Sequence, residues 1–245
     1  MKNSIEVINL SKSYKTKKAV NSISFKIDEN EIVGLLGPNG CGKTTTIGMI
    51  LGLLKPTSGQ VLINGKNIEN NKISILHKMN FISPYIELPK KLTVKQNLIV
   101  YGKLYNIKNL NERINFLSEK LRLGDLLDKI TGELSSGQKN RVSLAKALIN
   151  DPTVLLLDEP TAALDPETAD FIRTFLEKLK EEKKISILLA SHNMDEVKRL
   201  CNSVMMMKDG NIVDSGTPEN LIKKYGQKNL EEVFLEIVRN DKWIL

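Results

Sequence analysis

Cysteine is scarce. The 245-residue chain has two, Cys41 and Cys201, too few for a disulfide framework, so a reducing, cytoplasmic setting is expected. Aromatic residues make up 5%, with one Trp, and none alternate with basic clusters. A base-stacking surface for nucleic acid is therefore not expected, although the formal net charge is +7. The lysines are spread along the chain, with one short acidic–basic run at 178–184; a solvated surface, or one facing anionic lipid, accounts for them. No apolar run approaches the roughly 20 residues of a membrane span. Met1-Lys2-Asn3-Ser4 leads straight into a strand-like Ile5-Glu6-Val7-Ile8-Asn9-Leu10, without the pattern of a signal peptide. Internal repeats and low-complexity linkers are missing as well. What remains is 41% hydrophobic and 27% charged, the composition of one large α/β domain or a core with a smaller subdomain.

Within that composition one loop stands out: Gly37-Pro38-Asn39-Gly40-Cys41-Gly42-Lys43-Thr44, followed by Thr45. It fits G-x-x-x-x-G-K-[ST], whose backbone N–H groups wrap the phosphates of a nucleoside triphosphate. Glycine lets the backbone come close to the anion. Lys43 offers a charge for the β- and γ-phosphates, and the Thr44 hydroxyl is a hard oxygen ligand for Mg²⁺. The apolar run before the loop reads as a buried strand and the segment after it as a helix start, so a helix N-terminus faces the phosphates.

The chain around the loop reads as alternating strand and helix. Polar–apolar alternation at Ile5, Val7 and Ile8, then at Ile23, Phe25 and Ile27, predicts antiparallel strands joined by a polar turn at residues 14–18. A short strand is expected between Gly59 and Gly65. Residues 93–129 carry helical spacing at Leu98, Tyr101, Leu104, Ile114, Leu117 and Leu121, and predict a helical subdomain. Buried strands at 153–157, 185–190 and 203–207 complete a mostly parallel sheet, with the run Met205-Met206-Met207 as strand core.

Two further stations carry chemistry. The strand ending Leu157-Asp158-Glu159 puts two carboxylates at a sheet's carboxyl edge, where ligands of open α/β sheets sit. The aspartate suits the Mg²⁺ shell and the glutamate suits proton acceptance from attacking water. Leu134-Ser135-Ser136-Gly137-Gln138 precedes a helix expected at 139–149. Ser135 reads first as its cap, yet the small residues also leave a second exposed helix N-terminus suited to an anion. Two such ends in one chain suggest two nucleotides, or one shared between two chains.

This set resembles the nucleotide-binding subunit of an ATP-binding cassette (ABC) transporter, over essentially the whole chain. The resemblance implies an ABC ATPase fold: a P-loop NTPase core with a mostly parallel sheet, an N-terminal antiparallel β subdomain and a helical subdomain. The implied division is 1–84 with 151–225 for the core, 85–150 for the helical part and 226–245 for a C-terminal helical tail. It places Tyr14 against adenine and makes 135–138 the signature segment facing a second chain's nucleotide, with Ser136 where the family has glycine. Asp158 becomes the Mg²⁺ aspartate and Glu159 the catalytic glutamate. Ala163-Leu164-Asp165 becomes the dimer-interface loop, and His192 the switch histidine at the γ-phosphate. Pro84 stands where the family places a glutamine that touches Mg²⁺ and the attacking water; proline has neither donor nor carboxamide, Ser83 is its near neighbour with an oxygen, and Gln96 lies too far along.

The implied function is an ATPase that binds ATP and Mg²⁺, dimerises with itself or a related subunit, and drives a separate integral membrane permease from the cytoplasmic face. The ending Leu230-Glu231-Glu232-Val233-Phe234-Leu235 resembles export-type subunits. Two alternatives stand beside it: a soluble ABC ATPase of translation or chromosome maintenance, and an ATP-sensing module with little turnover.

Overall fold

The computed structural model describes residues 3–15, 17–84 and 86–239. It opens with a long antiparallel pair, β1 (Asn3–Tyr14) and β2 (Lys17–Asp28), whose alternation sends Ile5, Val7, Ile23 and Ile27 inward. β3 (Ile32–Leu36) is buried throughout and runs through the glycine loop into α1 (Lys43–Ile50). β4 (Ser58–Ile63) and β5 (Lys66–Asn67) return to the first pair, giving a four-stranded antiparallel sheet of order β2-β1-β4-β5.

Next come α2 (Ile68–Leu76) and β6 (Met79–Ile82), then three helices: α3 (Val94–Leu104), α4 (Leu110–Lys120) and α5 (Ser136–Leu148). Thr93 caps α3 in a reciprocal box with Gln96. Strand and helix then alternate through β7 (Val154–Asp158), α6 (Pro166–Glu182), β8 (Ser186–Ala190), α7 (Met194–Leu200) and β9 (Ser203–Lys208). β10 (Asn211–Gly216) folds back on β9, and α8 (Pro218–Tyr225) and α9 (Leu230–Arg239) follow. Residues 1–2 of the expected core and 240–245 of the expected tail lie outside the described residues.

The second sheet has order β10-β9-β3-β8-β7-β6, parallel except for the β9–β10 ladder. β3, β7 and β8 are buried on both faces, which is why they read as unbroken apolar runs. Alternate residues serve two cores. Ile32, Leu36, Leu155, Leu157, Ile187 and Leu189 face α3–α6, whereas Val33, Leu35, Leu156 and Leu188 face α1 and the antiparallel sheet. Ala190 pairs with both Leu35 and Asp158. The loops after β3, β7 and β8 therefore leave the sheet at one level and on one edge.

Several elements differ from the sequence expectation. α5 starts at Ser136, three residues before the expected 139, because Ser135 and Gln138 form a capping box that draws the small residues into the first turn. α2, α6, α7, α8 and β10 were not expected. β10 is partly exposed along its length and carries Asp214 and Ser215 on an edge strand, so its apolar alternation is thin.

Candidate active site

The glycine loop is held by contacts that only glycine permits. Gly42 sits at φ +114°, and a Cβ there would lie 2.4 Å from the Ala19 carbonyl oxygen. A Cβ on Gly37 would lie 2.3 Å from the Met207 carbonyl oxygen. The loop is thus pressed between β2 and the end of β9. Its underside is tied by the Gly210 amide, which donates to the Cys41 carbonyl at 2.9 Å. Cys41 is buried beneath the loop with its thiol pushed up by burial, so it acts as packing rather than as a nucleophile. Lys43 is also buried, and its ammonium donates to the carbonyls of Gly37 and Pro38.

Above the loop lies a cleft of ≈ 320 Å³ that joins residues far apart in sequence. Tyr14 stands at one end; Asn39, Gly40, Gly42, Lys43, Thr44 and Thr45 form the floor; Asp158, Glu159 and His192 close the other end. Lys17 and Ala19 of β2 also line it, and sequence reasoning passed over them because nothing in a lysine-rich turn marks which residue faces a ligand. The Lys12 ammonium sits 5.2 Å from the Tyr14 ring centroid, a cation–π contact on a ring that is about half exposed.

The carboxylates meet different surroundings. Asp158 is buried and accepts a hydrogen bond from Ser83 Oγ at 3.4 Å. Burial pushes its carboxyl above the ordinary aspartate range, with the Ser83 bond and the Lys43 charge pulling the other way. Ser83 thus reaches the carboxylate from the end of β6, beside Pro84. Glu159 is pushed up too, chiefly by burial, against the pull of His192. Its backbone sits at φ +51°, in the left-handed region unusual for a glutamate. The strained turn aims the side chain back across β8, where the His192 amide donates to Oε2 at 3.3 Å.

A residue that sequence reasoning missed holds this edge together. Glu196 is fully buried on α7 and accepts hydrogen bonds from Thr161 Oγ1 at 2.8 Å and from Ser191 Oγ. It links the loop after β7 to the loop after β8. Asn193 caps α7 through the Glu196 amide, so the spacing Asn193-x-x-Glu196 was the available signal.

The expected signature segment, residues 135–138, does not line the cleft. Ser135 Oγ accepts from the Gln138 amide at 3.3 Å, and Gln138 Oε1 accepts from the Ser135 amide at 3.0 Å. A Cβ on Gly137 would lie 3.0 Å from Thr168 Cγ2, and the Thr168 amide is capped by Asp165. Signature and expected interface loop are therefore neighbours, with Ala163 at φ +57°. Ser136 lines a second cavity of ≈ 230 Å³ with Ser83, Pro84, Ala163 and Leu164, and Glu159 borders both cavities.

Comparison with known proteins decides what this arrangement belongs to. A sequence profile described as ABC transporter matches residues 20–162, and one described as an AAA domain matches 131–197. The chain is 35% identical over 224 residues to the ABC transporter ATP-binding protein NatA of Bacillus subtilis, covering 90% of this chain and 91% of that protein. The chain belongs to the ABC transporter ATP-binding family. It is also 36% identical over 221 residues to the Nod factor export ATP-binding protein I of Burkholderia lata, covering 89% of this chain and 72% of that one. With the choline transport ATP-binding protein OpuBA of Bacillus subtilis it shares 35% over 229 residues, and the match covers 91% of this chain but 60% of that longer protein. Among solved structures, the ATP-binding subunit of an ABC transporter superposes with TM-score 0.87 at 27% identity, over 95% of this chain and 98% of that one. A dimeric post-hydrolysis ATP-binding cassette bound to ADP and Pi gives 0.79 at 26% identity, over 87% and 98%. The fold is the ABC ATPase fold, and the chain is an ATP-binding ABC ATPase. Among the described residues no helix is long and apolar enough to cross a membrane.

Proposed function

We propose that this ABC ATPase powers transport from the cytoplasmic face, closing as a dimer on ATP and reopening on hydrolysis, with a separate integral membrane permease as its partner. The observation that carries the proposal is the single cleft joining Tyr14, the phosphate loop, Asp158, Glu159 and His192. Tyr14 stacks on the base, and the loop amides with Lys43 hold the phosphates. None of the signature residues 135–138 lines its own chain's cleft, which supports a site completed by the second copy. Residues 163–165 then border that interface.

The donor set fits Mg²⁺. The Thr44 hydroxyl lies on the cleft floor, and Asp158 presents a buried carboxylate near Lys43. No cluster of three or more His, Cys, Asp or Glu able to hold a metal is present among the described residues. That suits a hard cation held by one carboxylate, a hydroxyl and substrate phosphates. When bound it would supply charge for the phosphoryl oxygens. Glu159 accepts the proton of the attacking water, and its raised proton affinity suits it for that role. His192 orients Glu159 and reaches toward the γ-phosphate.

Export is the direction favoured. Support comes from the resemblance of residues 230–235, the first part of α9 (Leu230–Arg239), to export-type subunits, and from the Nod factor export relative.

Replacing Glu159 by Gln tests the proposal. Hydrolysis should fall about 10²- to 10⁴-fold while ATP binding persists, and ATP should trap a dimer seen by light scattering. A monomer in ATP and Mg²⁺ would overturn the shared-site reading. Co-purification of an integral membrane protein with the chain tests the partner.

A further inference from the structure

A third, unassigned cavity of ≈ 360 Å³ opens between α4 and α6, built from residues that the nucleotide cleft does not use. Its walls are two helical stripes. Arg113, Phe116, Leu117 and Lys120 line it from α4 at i, i+3, i+4 and i+7, and Phe171, Phe175 and Lys178 line it from α6 at i, i+4 and i+7. The floor is apolar, completed by Leu148 and Leu179. Phe116 remains 40% exposed, so part of its surface is open to a ligand.

The rim is cationic. Five basic side chains border the cavity against two carboxylates, Glu119 and Glu182. Lys120 is paired with Glu182 at 3.3 Å, and Arg113 and Lys183 with Asp151. The remaining two, Arg122 and Lys178, have no carboxylate partner among the described residues. Arg122 lays its guanidinium 4.7 Å from the Phe171 ring centroid. It does so from a backbone at φ +53° just past the end of α4, a slot that favours glycine. Arg113 and Lys120 likewise sit 5.5 and 5.8 Å from the Phe116 centroid. Aromatic faces and unneutralised cations therefore converge on one open groove, its volume within the range of about 300–1,000 Å³ typical of small-ligand sites.

We propose that this cavity binds a small amphiphilic anion, an aromatic or acyl body bearing one carboxylate or phosphate, with the apolar body between Phe116 and the Phe171/Phe175 face and the anion at Arg122 and Lys178. The inference is independent of the nucleotide cleft and of the direction of transport. The chemistry excludes cations by repulsion and gives neutral analogues only the apolar half of the contact.

The probe is 2-naphthoate, compared with neutral 2-naphthamide by calorimetry or ligand-observed NMR on the full chain. Naphthoate should bind one to one, and the amide about fivefold or more weakly. Lys178→Glu and Arg122→Gln, both at exposed side chains, should each weaken naphthoate about fivefold and leave the amide unchanged. Phe116→Ser should weaken both probes. ATP affinity, measured in parallel, should be unaltered in all three variants and serves as the folding control. Equal affinity for the two probes, insensitivity to both charge changes, or no saturable binding would overturn the assignment. Binding of an acidic amphipathic peptide in place of naphthoate would overturn it too, by making the groove a protein-docking face.

Discussion

His192 Nε2 lies 3.2 Å from Glu159 Oε1, while the His192 backbone amide donates to Oε2 of the same carboxylate. One residue thus sets its backbone amide in a hydrogen bond with one oxygen of the proposed general base and its imidazole at ion-pair distance from the other. His192→Ala removes only the imidazole. Turnover should fall about 10²-fold, with ATP binding preserved in an equilibrium assay. The pH profile adds a second readout. Burial raises Glu159 and the imidazole charge opposes it. The acid limb of kcat should therefore lie above the ordinary glutamate value of about 4.3 and move to higher pH in His192→Ala. An unmoved limb would show that Glu159 is not the group being titrated.

The parts of this site that were legible in sequence are those where chemistry and chain continuity coincide. Strand, glycine loop and helix are adjacent in sequence, and Asp158 and Glu159 end an apolar run, so pattern alone placed them. Tyr14 and His192 were reached through family resemblance; nothing local marks a tyrosine in a turn or a histidine after a strand. Contacts made across the fold stayed hidden. The Ser83–Asp158 bond depends on β6 lying beside β7, and Glu196 sits on α7, an element not anticipated, with its two partners arriving from separate loops. The α4–α6 cavity was masked for a related reason. Phe171 and Phe175 lie on α6, a helix the sequence reading did not anticipate, and the lysines at 178–184 read as solvated surface.

Steric closure at Gly42 gives a prediction about folding rather than catalysis. Gly42→Ala would need a Cβ at φ +114° and 2.4 Å from the Ala19 oxygen. Neither the angle nor the backbone neighbour yields cheaply, so a loss of about 2–3 kcal/mol is expected, read as a Tm lower by about 4–12 °C. Gly40→Ala shares the positive φ, yet its Cβ would meet open space, and it should cost about 1 kcal/mol. Equal losses in the two variants would remove the steric argument.

Burial of Asp158 makes the site a local liability for stability. Its folded proton affinity is raised above the unfolded one, with burial the leading cause, so between the two pKa values the native chain binds more protons than the unfolded chain. Stability contributed by this group is present at low pH and declines as pH rises through that window. Asp158→Asn should therefore raise Tm at neutral pH, by about 1–4 °C, and flatten that part of the stability–pH curve. Hydrolysis should be lost in the same variant. A lower Tm for Asp158→Asn at pH 7 would mean that the carboxylate is stabilised by its neighbours more than burial penalises it.

The geometry of Ser135 allows the shared site to be tested directly. Its hydroxyl oxygen accepts from the Gln138 amide, which leaves the hydroxyl proton to donate outward, and the segment does not face its own chain's cleft. Ser135→Arg should block dimer closure by bulk while leaving nucleotide binding to the monomer near normal, apart from about 1 kcal/mol of lost helix cap. Lys43→Ala should remove phosphate binding in its own chain. Neither variant alone can close an intact site. In a mixed dimer the outcome depends on which chain completes which site. If the signature acts across chains, the Ser135→Arg segment faces the Lys43→Ala loop, both lesions fall in one site, and the opposite site is whole. One occluded ATP per mixed dimer is then expected. If the signature acts within its own chain, each site carries one lesion and no ATP is occluded. Mixed dimers isolated by dual affinity tags and found without occluded nucleotide would reject the cross-chain arrangement.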